Sequence, residues 1–160
     1  MIAQTLVLFV VAALLAISAG WDLASYTIPN FLPAALLAVF ILFALLAGLP
    51  PSGIGSHALA GLAGLAIGFA LFAFGLIGGG DAKLFAAIVL WLGFGKDSDG
   101  MPYLFEYVLM TAVLGGALTI ILIGLRSVPM PAAIYGHAWL ARLLNPRSGI
   151  PYGVALAGGA

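Results

Sequence analysis

Leu76-Ile77-Gly78-Gly79-Gly80-Asp81-Ala82-Lys83-Leu84-Phe85 is the stretch that decides the fold. It closes one apolar run, about 57 to 77, and opens another, about 82 to 94, so two hydrophobic segments meet at three glycines and an acid. The 160 residues are 64% hydrophobic and 6% charged, with a mean hydropathy of +1.26, far from the composition of a soluble globular domain. An all-α integral membrane protein is therefore expected. A carboxylate in that setting needs a reason, because an ionised group at a helix centre in a bilayer costs roughly 2.5 to 3.5 kcal/mol on insertion scales.

Working outward, further apolar runs fall at about 2 to 21, 31 to 48, 103 to 125 and 150 to 160. They predict a polytopic membrane helix bundle of about six transmembrane helices, with residues 1–160 forming a single integral-membrane domain. The breaks are Ile28-Pro29-Asn30, Leu49-Pro50-Pro51-Ser52-Gly53, the glycine triplet, Gly95 to Gly100, and the polar stretch Arg126 to Gly149. The fourth run, about 14 residues, covers only about 21 Å. It implies a locally thin bilayer, or a water-reaching cavity around Asp81 and Lys83. The last run is 11 residues, too short to cross, and truncation at Ala160 is the expectation. No Lys or Arg precedes Lys83, so the first run lacks the basic flank of a cleaved signal peptide and is expected to remain a helix.

Counting cations orients the bundle. If the first helix enters from outside, the inner loops hold Lys83, Arg126, Arg142 and Arg147 and the outer loops only Lys96. The one other acid in the first half, Asp22, lies at the end of the first run. Two crossings separate it from Asp81, so both acids emerge on one face, the cytoplasmic one by the cation count. Within Arg126 to Gly149, the pattern of Ile134, Tyr135, Trp139, Leu140, Leu143 and Leu144 with His137 and Arg142 predicts a short interfacial helix. The absence of cysteine excludes a disulfide, a thiolate nucleophile and a Cys-based zinc site. His57 and His137 fall on opposite faces and cannot share a metal. No metal, no cofactor and no nucleic-acid partner is expected of a chain with zero net charge and no basic patch.

Two converging carboxylates have specific chemistry. Like charges a few ångströms apart do not both ionise readily, so the pair holds one proton between them near working pH. The ionised member can take a proton from a water attacking a carbonyl, while the protonated member donates to the carbonyl oxygen or the leaving amine. Gly78, Gly79 and Gly80, lacking Cβ, can take positive φ and let an extended backbone approach. They are also expected to end one helix and set Asp81 at the start of the next, where the helix dipole favours a carboxylate.

Gly78-Gly79-Gly80-Asp81-Ala82-Lys83-Leu84 resembles the GxGDxKL signature of the type IV prepilin peptidases, aspartic proteases of the GxGD class. Asp22 followed by Ile28-Pro29-Asn30 resembles their first catalytic segment. The tail Ile150-Pro151-Tyr152-Gly153-Val154-Ala155 is similar to the segment opening the last helix of the short members that serve tight-adherence (Flp) pili. The resemblance implies an intramembrane aspartic endopeptidase with Asp22 and Asp81 catalytic, cutting the leader of an Flp-type or other prepilin after a glycine. The site would face the cytoplasm at a bacterial inner membrane. Gly78, Gly79, Gly80, Lys83 and Asn30 are expected to bind substrate or support the site. Because the chain starts at its first helix and has no cysteine, the resemblance implies peptidase without methyltransferase activity, and it implies a longer final helix.

Other readings are weaker. A small proton- or cation-coupled transporter would use the same two acids, but at the midplane instead of one face. A membrane scaffold explains the small-residue faces, Gly61, Gly64 and Gly68 and then Gly115 and Gly116, but not the acids. A preflagellin-type leader peptidase stays within the same class. Asp97 and Asp99 read as solvated turn residues, and Glu106 as a helix-start acid.

Overall fold

The computed structural model describes residues 2–95, 102–128 and 136–160. Among these residues it has seven helices: α1 (Ile2–Ser25), α2 (Phe31–Ala47), α3 (Pro51–Ala73), α4 (Gly79–Leu92), α5 (Tyr103–Arg126), α6 (Ala138–Leu143) and α7 (Tyr152–Gly158). Lys96, Asp97, Asp99, Pro129, Pro131, Ile134 and Tyr135, to which the sequence assigned loop or interfacial positions, lie outside the described residues.

Length sorts the helices. α1, α3 and α5, at 24, 23 and 24 residues, are long and apolar enough to cross a bilayer, each covering about 35 Å. α2 has 17 residues, α4 has 14 and α7 has seven. The chain is thus a helical membrane bundle in which three of the six expected runs are full-length spans. Large apolar side chains such as Phe9 and Leu45, 70% and 74% exposed, form the outer surface, as expected where lipid is the solvent.

The short α4 sits against four other helices. It packs most extensively on α3 and also touches α2, α5 and α7, burying Ala82, Leu84, Ala87, Ile88 and Val89. The small-residue face of α3 makes that approach close. A Cβ on Gly64 would sit 2.9 Å from the Val89 Cβ, and one on Gly68 would sit 2.9 Å from the Ala82 carbonyl oxygen. Leu32 and Leu36 of α2, Leu84 and Ile88 of α4, Tyr107 of α5 and Leu156 of α7 form the shared core. α7 wedges between α1, α4 and α5.

Several boundaries differ from the expected runs for local reasons. α3 begins at Pro51, ahead of residue 57, because Pro50 and Pro51 supply a helix start that needs no N–H. Gly48 closes α2 in the left-handed conformation, φ 62°, with its N–H on the carbonyls of Ala44 and Leu45. α1 runs on to Ser25, so Asp22 lies in its last turns, and Tyr26 ends it at φ 57°. α3 stops at Ala73, well before the glycine triplet, which opens α4 instead of ending α3. In the Arg126 to Gly149 segment, α6 covers the Trp139, Leu140 and Leu143 part of the expected interfacial helix.

Candidate active site

At one end of the bundle a cavity of about 250 Å³ is lined by Asp22, Tyr26, Thr27, Ile28, Gly78, Gly79, Gly80 and Asp81. Five of the seven sequence-predicted site residues meet there. α1 delivers Asp22 and α4 delivers Asp81, and both side chains are buried, 3% and 9% exposed. In each carboxylate one oxygen is held by a backbone N–H. Gly78 donates to Asp81 Oδ2 over 3.0 Å, the first-turn half of a capping box, and Gly153 donates to Asp22 Oδ2 over 2.7 Å. Asp81 Oδ1 is buried with no hydrogen-bond partner among the described residues, a costly state unless something else engages it. Charge-assisted bonds of this kind are short and orienting, so both acids are held in place by backbone donors.

The glycines act differently from the expectation. None of the three has positive φ; Gly78 is extended at φ −72° and ψ 154°, and positive φ in this region falls on Gly75. The close backbone approach they permit is made by the chain itself. A Cβ on Gly80 would lie 3.0 Å from the Ile28 Cβ, 3.1 Å from its nitrogen and 3.2 Å from its oxygen. Gly80 therefore lets the Thr27-Ile28-Pro29 segment, which follows Asp22, lie directly against the start of α4. That contact brings the two acids to one cavity.

Lys83 and Asn30 do not line this cavity. Lys83 Nζ donates to Asn30 Oδ1 over 2.7 Å, tying α4 to the start of α2, and both side chains border a separate apolar groove with Pro33, Ala34 and Leu65. One helical turn explains the outcome: Asp81 and Lys83 are two positions apart and so cannot face the same way. Thr27 pairs through its hydroxyl with that of Ser25, three positions after Asp22.

Two residues that the sequence reading passed over complete the surroundings. Gly153 was legible only as part of a tail motif. Its place against Asp22 is so tight that an added Cβ would meet Asp22 Oδ2 at 2.8 Å and Ile28 Cδ1 at 2.7 Å. Tyr26 lines the cavity, and partial burial holds its phenol above the ordinary range, with the Arg126 guanidinium acting in the opposite sense. A larger apolar cleft of about 750 Å³, whose lining includes Ile77, Phe85, Gly115, Thr119, Tyr152 and Leu156, lies beside the residues that precede Gly78 and Gly153.

A membrane-embedded helical bundle with two inward carboxylates at one end of its helices defines the class of protein. A family profile for the type IV leader peptidases matches residues 9–124, well over half of the chain, and the protein belongs to that family of membrane proteases. No curated protein and no solved structure gives a significant match.

Proposed function

We propose that the protein is an aspartic endopeptidase that removes the N-terminal leader of prepilins at the cytoplasmic face of a bacterial inner membrane, with Asp22 and Asp81 as its catalytic pair. The observation that carries this reading is the convergence of two buried carboxylates, 59 positions apart, on one small cavity, each held by backbone N–H donors, Gly78 for Asp81 and Gly153 with Val154 for Asp22. Both acids at one end of the bundle fit a cut beside the membrane surface better than midplane ion coordination.

The pair carries one proton. The ionised carboxylate takes a proton from water as its oxygen bonds to the scissile carbonyl carbon, and the protonated partner donates to the carbonyl oxygen. As the C–N bond breaks, a proton passes to the leaving amine, and the pair returns to its starting charge. Gly80 lets the segment after Asp22 lie against the start of α4, and the Lys83–Asn30 pair supports the site from outside by joining α4 to α2. A prepilin leader rich in basic residues, of Flp type or another type IV class, is the substrate, cut after its glycine.

The test is incubation of detergent-solubilised protein with a candidate prepilin, followed by mass measurement. The expected product begins immediately after the leader glycine. An intact substrate, or cleavage that persists in both Asp22→Asn and Asp81→Asn, removes the proposal.

A further inference from the structure

We infer that Arg126 is a positioning residue for Asp22, acting through the turn that joins α6 to α7; the inference rests on the reading of Asp22 as a catalytic carboxylate. Arg126 ends α5 and spends its guanidinium on that turn. Nε donates to the Leu143 carbonyl over 2.9 Å, Nη1 to that of Ser148 over 3.0 Å and Nη2 to that of Gly149 over 2.8 Å. Nη2 also lies 3.5 Å from the hydroxyl of Tyr26, which lines the cavity. Arg142, in α6, adds a bond from Nη1 to the Ser25 carbonyl at the end of α1, 3.3 Å. One cation thus closes the turn on itself, and the second ties α6 to the end of the helix that bears Asp22.

The link from clamp to carboxylate is short and stiff. Four positions after Gly149 comes Gly153, whose N–H is the donor to Asp22 Oδ2. Between them Pro151, fully buried, removes one backbone rotation. α7 has only seven residues, too few to hold its own position by intrinsic helical stability. Its N-terminal end therefore depends on tertiary anchors, of which Arg126 supplies three hydrogen bonds. A planar fork of donors is suited to three carbonyls spread along a turn, whereas a lysine ammonium presents a single point.

The experiment compares Arg126→Lys with the parent protein by steady-state cleavage of a prepilin, across pH, together with thermal unfolding in detergent. The expected result is a kcat lower by about 10- to 100-fold, the loss of a hydrogen bond to a charged group. KM should stay within about twofold, as expected where only transition-state stabilisation is lost. The acid limb of the pH–rate profile should also move to higher pH, because a carboxylate that loses an N–H donor holds its proton more readily. The titratable groups facing Asp22 are Asp81 across the cavity and Tyr26 at the end of its own helix; the substitution replaces neither and keeps a cation beside Tyr26. An Arg126→Lys protein with unchanged kcat and an unmoved profile overturns the inference. Should that variant not accumulate, Gly153→Ala decides by the same two readouts, with unchanged kcat and profile again overturning it. Asp22→Asn and Asp81→Asn, run in parallel, separate the two claims. Loss of cleavage in both with an indifferent position 126 rejects the clamp alone, whereas cleavage in both rejects the catalytic reading beneath it.

Discussion

Gly153 and Asp22 are 131 positions apart, and the backbone N–H of the first donates to the carboxylate of the second over 2.7 Å. The last helix of the chain thereby becomes part of the site opened by the first. Because a Cβ at position 153 would overlap both Asp22 and Ile28, only glycine allows that bond at this spacing.

On the proposed mechanism, replacing Asp22 or Asp81 by Asn removes the proton exchange that hydrolysis needs. Each variant should lose cleavage by at least about 10²- to 10⁴-fold while remaining folded in the membrane. Product mass and thermal unfolding measured on the same preparation check both parts.

The dependence of kcat on pH should be bell-shaped. On the acid side both carboxylates are protonated and no base remains; on the alkaline side the shared proton is lost and no acid remains. The two limbs belong to the pair, not to either residue. A rate that rises through a single step and stays flat would point to one acid working alone.

Gly80→Ala should reduce kcat more than it reduces stability. The new methyl would meet the Cβ, nitrogen and oxygen of Ile28 at 3.0 to 3.2 Å, and the easiest relief is to part the start of α4 from the segment following Asp22. A fall in kcat beyond about tenfold, with a loss of stability in the about 1 to 3 kcal/mol range of overpacking, is the expected pairing.

Gly68→Ala and Gly116→Ala form a contrasting pair. At position 68 the methyl would press on the Ala82 backbone, 2.9 Å from its oxygen, whereas at position 116 nothing among the described residues lies within 4 Å. Thermal unfolding should show Gly68→Ala destabilised by about 1 to 3 kcal/mol. Gly116→Ala should be neutral or slightly stabilised, by up to about 1 kcal/mol of recovered helix propensity.

Lys83→Met should lower kcat by less than about fivefold, since Nζ is bonded to Asn30 and borders a different groove from the acids. A shifted pH–rate profile in this variant would show that the lysine acts on the carboxylates after all.

Much of the bundle was legible because hydrocarbon imposes one requirement: uninterrupted apolar segments with backbone bonds satisfied inside each helix. The apolar cores of α1, α3 and α5 follow from that alone. Counting two apolar runs between Asp22 and Asp81 put both acids at one end, and they line one cavity, although of α2 and α3 only α3 is long enough for a full span. Side-chain direction did not follow so readily. Lys83 reads as part of the Asp81 motif, yet α-helical spacing turns it towards Asn30. The glycine triplet reads as a turn of positive φ, yet its work is to admit the backbone of Ile28.

By itself, then, the order of apolar and polar residues determined a membrane helix bundle and the two acids worth attention, because both depend on local composition and on counting crossings. Only the tertiary structure decided how those acids are held, Gly153 on Asp22 and Gly78 on Asp81, and how Arg126 closes the α6–α7 turn. The first and last of these join groups far apart along the chain, and no periodicity in the sequence records which distant N–H or carbonyl a buried charge will meet once the helices pack.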